Sequence, residues 1–137
     1  MLVEDCTFRN MRPRRDVAPD HVQTFLARAC CENVWLRRCR FESGGHGAIV
    51  DGLFNGGVLD SFFGPGIESH PLPFFPNTDM NVTRRQMSSP MRHCRYVVVS
   101  GNTFQSRQPP RGGVRAVDLV ATEALVAGNR ASGYPIF

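Results

Sequence analysis

Five short segments of this chain share one pattern, and that pattern restricts the fold to a stack of equivalent units. They cover residues 2–8, 34–41, 56–63, 97–104 and 124–131. Each ends on an anchor: Phe8, Phe41, Phe63, Phe104 or Ala131. Two residues earlier stand Cys6, Cys39, Ser61, Asn102 and Asn129, and five residues earlier stand Val3, Leu36, Val58, Val99 and Val126. This reads as a strand, a corner and one more buried side chain. The anchors are 33, 22, 41 and 27 residues apart. Such a variable period belongs to solenoids, in which no unit can bury its own apolar face and stacking supplies the other half of the core. Length variation then falls in outer loops. At the corner, Asn suits a left-handed backbone and can bond the backbone of the next unit, and the preceding Gly101 and Gly128 favour a sharp bend.

Between these segments a second strand is legible in each unit: residues 21–27 (HVQTFLA), 47–52 (GAIVDG) and 113–120 (GVRAVDLV). Residues 53–57 (LFNGG) read as a turn. Residues 64–93 read as an irregular excursion, with space for one strand near 66–70 and a short helix near 79–87. Successive copies of one strand face the same way, so they pair in parallel, and the rest of each unit supplies the crossover that parallel pairing requires. The 137 residues form a single domain. It begins with a complete repeat and has no capping element, which reads as a fragment of a longer protein. No signal peptide and no apolar run of membrane-spanning length is present. Secretion or display at the cell surface would follow if the longer protein carried a leader.

The net charge is +4, and every basic residue is Arg. Arg forks pair with carboxylates, phosphates and sulfates. The clusters Arg12/Arg14/Arg15, Arg37/Arg38/Arg40, Arg84/Arg85 and Arg92/Arg95 read first as a solvated face and next as contacts for an anionic glycan. No recognition helix or aromatic platform motif points to nucleic acid. The five cysteines include no CxxC pair. Cys6 and Cys39, at equivalent positions, read as small stacked hydrophobes. His93 and Cys94 match no zinc-ligand spacing.

The V-x-x-N-x-F ladder and the length of the units resemble the right-handed parallel β-helix of the pectate-lyase-like superfamily. More narrowly, residues 18–25 (APDHVQTF) followed by GHGAIVDG resemble bacterial right-handed β-helix repeat proteins. The resemblance implies an all-β, right-handed parallel β-helix solenoid of about four to five coils with one long loop excursion. It also implies a carbohydrate-active module that acts on or binds an acidic polysaccharide, as a lyase, epimerase or hydrolase. The alternative is a non-catalytic structural or glycan-binding segment of an adhesin or tailspike-like protein.

In that superfamily, catalytic residues project from one parallel sheet into a groove. Carried onto this chain, the idea selects Asp20, His21, Asp51 and Arg115 as catalytic candidates and Gln23, His46 and Asp118 as substrate-binding ones. Removing a proton beside a carboxylate needs a cation for the enolate-like intermediate and a base. Arg115, or a Ca²⁺ held by Asp20 and Asp51, would supply the charge, and His21 or His46 the base. No dedicated metal motif is present. Glycoside hydrolysis would instead use two carboxylates, from Asp20/Asp51 or Asp51/Asp118. The plainer reading of all three aspartates is structural: Asp20 caps a turn, and Asp51 and Asp118 end strands.

Overall fold

In the computed structural model of the chain, each of the five segments bends at a residue with left-handed backbone. Asp5, Arg38, Asp60, Gly101 and Gly128 have φ values of 54°, 49°, 49°, 69° and 64°. The bend therefore lies one residue before the Cys/Ser/Asn column, which corrects the expectation that Asn102 and Asn129 themselves take that conformation. The structure describes residues 1–9, 23–27, 31–44, 46–67, 71–75, 94–106, 115–119 and 121–134. Among them all regular structure is β, with no helix.

Each bend separates two strands, so the first four units contribute three strands each where the sequence suggested two, and the fifth contributes two among the described residues. Before the bends lie β1 (Leu2–Glu4), β4 (Trp35–Arg37), β7 (Phe54–Leu59), β10 (Arg95–Ser100) and β13 (Ala124–Ala127). These form sheet 1 in the order β1-β4-β7-β10-β13. After the bends lie β2 (Thr7–Phe8), β5 (Arg40–Gly44), β8 (Phe62–Ile67), β11 (Thr103–Gln105) and β14 (Arg130–Ser132), which form sheet 2 in the same sequential order. Sheet 3 holds β3 (Gln23–Ala27), β6 (His46–Asp51), β9 (Leu72–Phe75) and β12 (Val117–Leu119). Each strand lies beside the one three places earlier, and every pairing is parallel. Among the described residues none of the sheets closes into a barrel, and each has two edge strands.

Several local readings change. Residues 53–57 are not a turn, because β7 begins at Phe54 and runs through both glycines. Gly57 sits between the backbones of β4 and β10, and a Cβ there would stand 1.8 Å from the Val98 carbonyl oxygen, so the glycine serves close strand approach. The Gly-rich stretch after Phe41 continues as strand to Gly44, and within residues 64–93 lie the end of β8 and all of β9. The helix considered at 79–87 lies outside the described residues.

The repeat columns are the core. Val3, Leu36, Val58, Val99 and Val126 are in register, as are Phe8, Phe41, Phe63, Phe104 and Ala131. The middle members, Leu36, Val58, Val99, Phe41, Phe63 and Phe104, are fully buried. The four Phe rings stack with centroids 4.8, 4.8 and 4.9 Å apart and interplanar angles of 4°, 10° and 15°. That spacing is the separation of hydrogen-bonded strands, so backbone pairing sets the ring stack.

The corner column is held by side chains. The Cys39 N–H donates to Ser61 Oγ (3.1 Å), the Ser61 N–H to Asn102 Oδ1 (2.9 Å), and the Asn102 N–H to Asn129 Oδ1 (3.0 Å). Each Asn also donates back to the previous unit: Asn102 Nδ2 to the Val58 carbonyl and Asn129 Nδ2 to the Val99 carbonyl, both at 2.9 Å. Corner amides that strand pairing leaves out thus find partners inside the column, as buried polar groups require.

Candidate functional site

Sheet 3 carries most of the residues selected from the sequence, and its register fixes their relative positions. Gln23 is the register partner of His46. Three pairings align Phe25, Ala48, Leu72 and Val117 in one row across the four strands. Asp51 pairs with Phe75 at the far end of β6, and Asp118 pairs with Pro73. Arg115 is exposed, two residues before β12. Asp20 and His21 lie outside the described residues.

Strands β6 and β12 are two steps apart, on the order of 10 Å. Along the strands, Asp118 is offset from Asp51 by about two residues, at ~3.3 Å per residue. The Cα separation of Asp51 and Asp118 is then on the order of 12 Å. Sheet 3 brings Gln23 and His46 together and sets Asp51 and Asp118 two strands apart. His46 is buried, 8% exposed, and Asp118 is half-buried. Among the described residues, no group of three or more His, Cys, Asp or Glu side chains is placed to hold a metal ion.

The arginines of the ladder lie outside, as the alternation with Cys39 and Phe41 requires, and several are engaged with acids. Arg38 makes a two-pronged contact with Asp5, Nε–Oδ1 and Nη2–Oδ2 both at 2.7 Å, and approaches Glu4 at 3.1 Å. These hydrogen bonds hold the Asp5 carboxyl below its usual pKa and raise that of the guanidinium. Arg37 meets Glu4 at 3.4 Å. Arg40 meets Glu42 at 3.3 Å and lies over the Phe62 ring, 4.4 Å from its centroid. Arg95 meets Glu123 at 2.9 Å, a hydrogen bond that raises the pKa of Arg95.

The outer face of sheet 1 is a feature that the sequence reading did not select. Leu2, Trp35, Gly57, Val98 and Leu125 share one outward row. Leu2 and Leu125 are 60% and 58% exposed. In the neighbouring row, Asn55 Nδ2 donates to Asn33 Oδ1 at 2.6 Å, and Tyr96 follows them. Asn33, Asn55 and Tyr96 all have left-handed backbone, with φ of 53°, 54° and 55°. For a tyrosine this conformation is an outlier held by its surroundings. Phe54 packs edge-on to Tyr96 at 5.4 Å, and the Arg95 guanidinium lies 4.8 Å from the centroid of its ring. Asn55, Tyr96, Val98, Glu123 and Leu125 line a shallow, open hollow of about 310 Å³. The sequence signal for this face is the unbroken apolar pairs and triplets of sheet 1, such as Trp35–Leu36 and Val97–Val99, which put an apolar residue on the outside as well as the inside.

No family model, curated protein or solved structure matches the chain.

Proposed function

We propose that the chain is a segment of a right-handed parallel β-helix, with four full coils and two strands of a fifth, that binds an acidic polysaccharide without cleaving it. The outer face of sheet 1 supports this reading. Its half-exposed Tyr96 and the partly buried Trp35 offer apolar faces for sugar rings, and Asn33, Asn55 and Glu123 offer hydrogen-bonding groups beside them. Arg37 and Arg95 lie on the same sheet, and their guanidinium forks suit uronate carboxylates. A catalytic site of the lyase, epimerase or hydrolase kind would need its cation, base and acid around one sugar. Asp51 and Asp118 stand two strands apart in sheet 3, which favours binding over that chemistry.

Calorimetric titration with alginate, pectate and hyaluronan oligosaccharides, against a neutral glucan, tests the proposal. Binding to at least one acidic glycan is expected, weakened about tenfold by Tyr96→Ala, in line with the loss of one aromatic contact. The same mixtures are to be followed for the ultraviolet absorbance of unsaturated uronate and for new reducing ends. Either product would overturn the non-catalytic reading. Binding to none of the acidic glycans would overturn the glycan reading.

A further inference from the structure

Cys6 and Cys39 hold equivalent positions on neighbouring repeats, and register is fixed on both sides of them. Glu4 pairs with Arg37 and Thr7 with Arg40, and the Arg40 N–H donates to the Cys6 carbonyl at 2.8 Å. Their Cα atoms are therefore about one strand spacing apart, ~4.8 Å, within the span of about 4.4–6.8 Å that a disulfide bridges. The side chains agree with this placement. Cys39 Sγ lies 3.5 Å from the carbonyl oxygen of Val3, so it hangs toward the first repeat. Cys6 is exposed, whereas Cys39 is 1% exposed. Both are thiols in this structure.

We propose that Cys6 and Cys39 are a redox cross-linking site that staples the first repeat to the second, with a small disulfide such as oxidised glutathione as oxidant. The exposed Cys6 thiolate attacks one sulfur of glutathione disulfide, forming a mixed disulfide and releasing one glutathione thiolate. The Cys39 thiolate then attacks the Cys6 sulfur, and the second glutathione leaves. Two protein thiols are oxidised, and one glutathione disulfide is reduced to two glutathione thiolates, which take up the two protons that the protein thiols lose. Burial raises the pKa of Cys39, so the second step speeds up as pH rises. The position gives the staple something to do. Strands β1 and β2 are edge strands with one neighbour each, and Val3 and Phe8 are only half-buried. A bond closing a loop between residues 33 apart restrains the unfolded chain and holds this edge.

The chain is to be incubated with oxidised glutathione, alkylated in denaturant, and digested with chymotrypsin without reduction. The expected product joins the fragment ending at Phe8 to the fragment ending at Phe41, two hydrogens lighter than the separate peptides. The oxidised chain should also melt several degrees higher than the reduced one. Cys6→Ser, at an exposed position, should leave the reduced melting temperature in place and remove both effects. Recovery of Cys6 as a lasting glutathione adduct with Cys39 alkylated would overturn the proposal, as would a bond from Cys6 to any other cysteine.

Discussion

The corner column shows how much one buried side chain has to satisfy. Asn102 is fully buried, accepts the N–H of Ser61 and donates to the Val58 carbonyl and to Asn129 Oδ1. Alanine there would strand one donor and one acceptor away from water, so Asn102→Ala should destabilise the fold by about 3 kcal/mol, measured by urea unfolding. Serine already works one repeat earlier, where Ser61 accepts from Cys39 and donates within its own repeat to Leu59. Asn102→Ser should therefore keep the contact to Ser61, lose the one to Val58, and destabilise by about half as much. At the exposed end of the neighbouring column, Arg38 sets the titration of Asp5. Its hydrogen bonds depress the carboxyl pKa below the ordinary 3.8, so their contribution is present above that pH and fades as pH falls through the folded-state value. Arg38→Ala should move the Asp5 carboxyl titration, followed by NMR, upward toward the ordinary value. The melting temperature should hardly change, because both groups are solvated.

At the scale of an element, two kinds of glycine in sheet 1 and its corners behave oppositely. In β7 a Cβ on Gly57 would collide with the backbone of β10, which no side-chain rotation relieves. Gly57→Ala should lower unfolding stability by about 3 kcal/mol or more and disturb the packing of Trp35 and Val98. Gly128 has left-handed φ, but a Cβ there would meet the Gly101 backbone only at an ordinary contact distance of 3.8 Å, in a column where Asp5, Arg38 and Asp60 already carry side chains. Gly128→Asn should stay within about 0.5 kcal/mol of the parent. This difference also explains what could be read from the sequence. The Val and Phe rows were legible because burial recurs at fixed offsets from each anchor. The sharpest bend was misplaced by one residue because Asn suits both a left-handed bend and a buried amide ladder, and Asn102 serves the ladder. Residues 53–57 looked like turn chemistry because glycine marks turns and close strand approach alike. Strand β9, Leu-Pro-Phe-Phe, has neither alternation nor a β-branched run, and its place is set by β6 and β12 on either side.

For the whole molecule, stability should be graded along the stack, because each strand pairs only with the strands beside it in its sheet, and those are far away in sequence. Polar residues break the strand pattern on sheet 3, and this is the chemical signal the sequence carries. The outer face of sheet 1 went unread because Trp35, Val98 and Leu125 look like core until the register puts them outside. The same register orders the stability. In sheets 1 and 2, β7, β8, β10 and β11 have a strand on each side, whereas β1, β2, β13 and β14 have one. The inward residues follow suit: Val58, Val99, Phe63 and Phe104 are fully buried, but Val3, Phe8, Val126 and Ala131 are only partly so. Opening an edge strand breaks one interface, whereas opening a middle strand breaks two and exposes the Phe stack. Where coupling is between nearest neighbours, opening proceeds from the ends inward. Native-state hydrogen exchange should therefore show the amides of Val58, Phe63, Val99 and Phe104 as the slowest, and those of Val3, Val126 and Ala131 faster by at least about tenfold. Uniform exchange across all five repeats would mean that the chain opens as one cooperative unit and that edge position confers no local weakness.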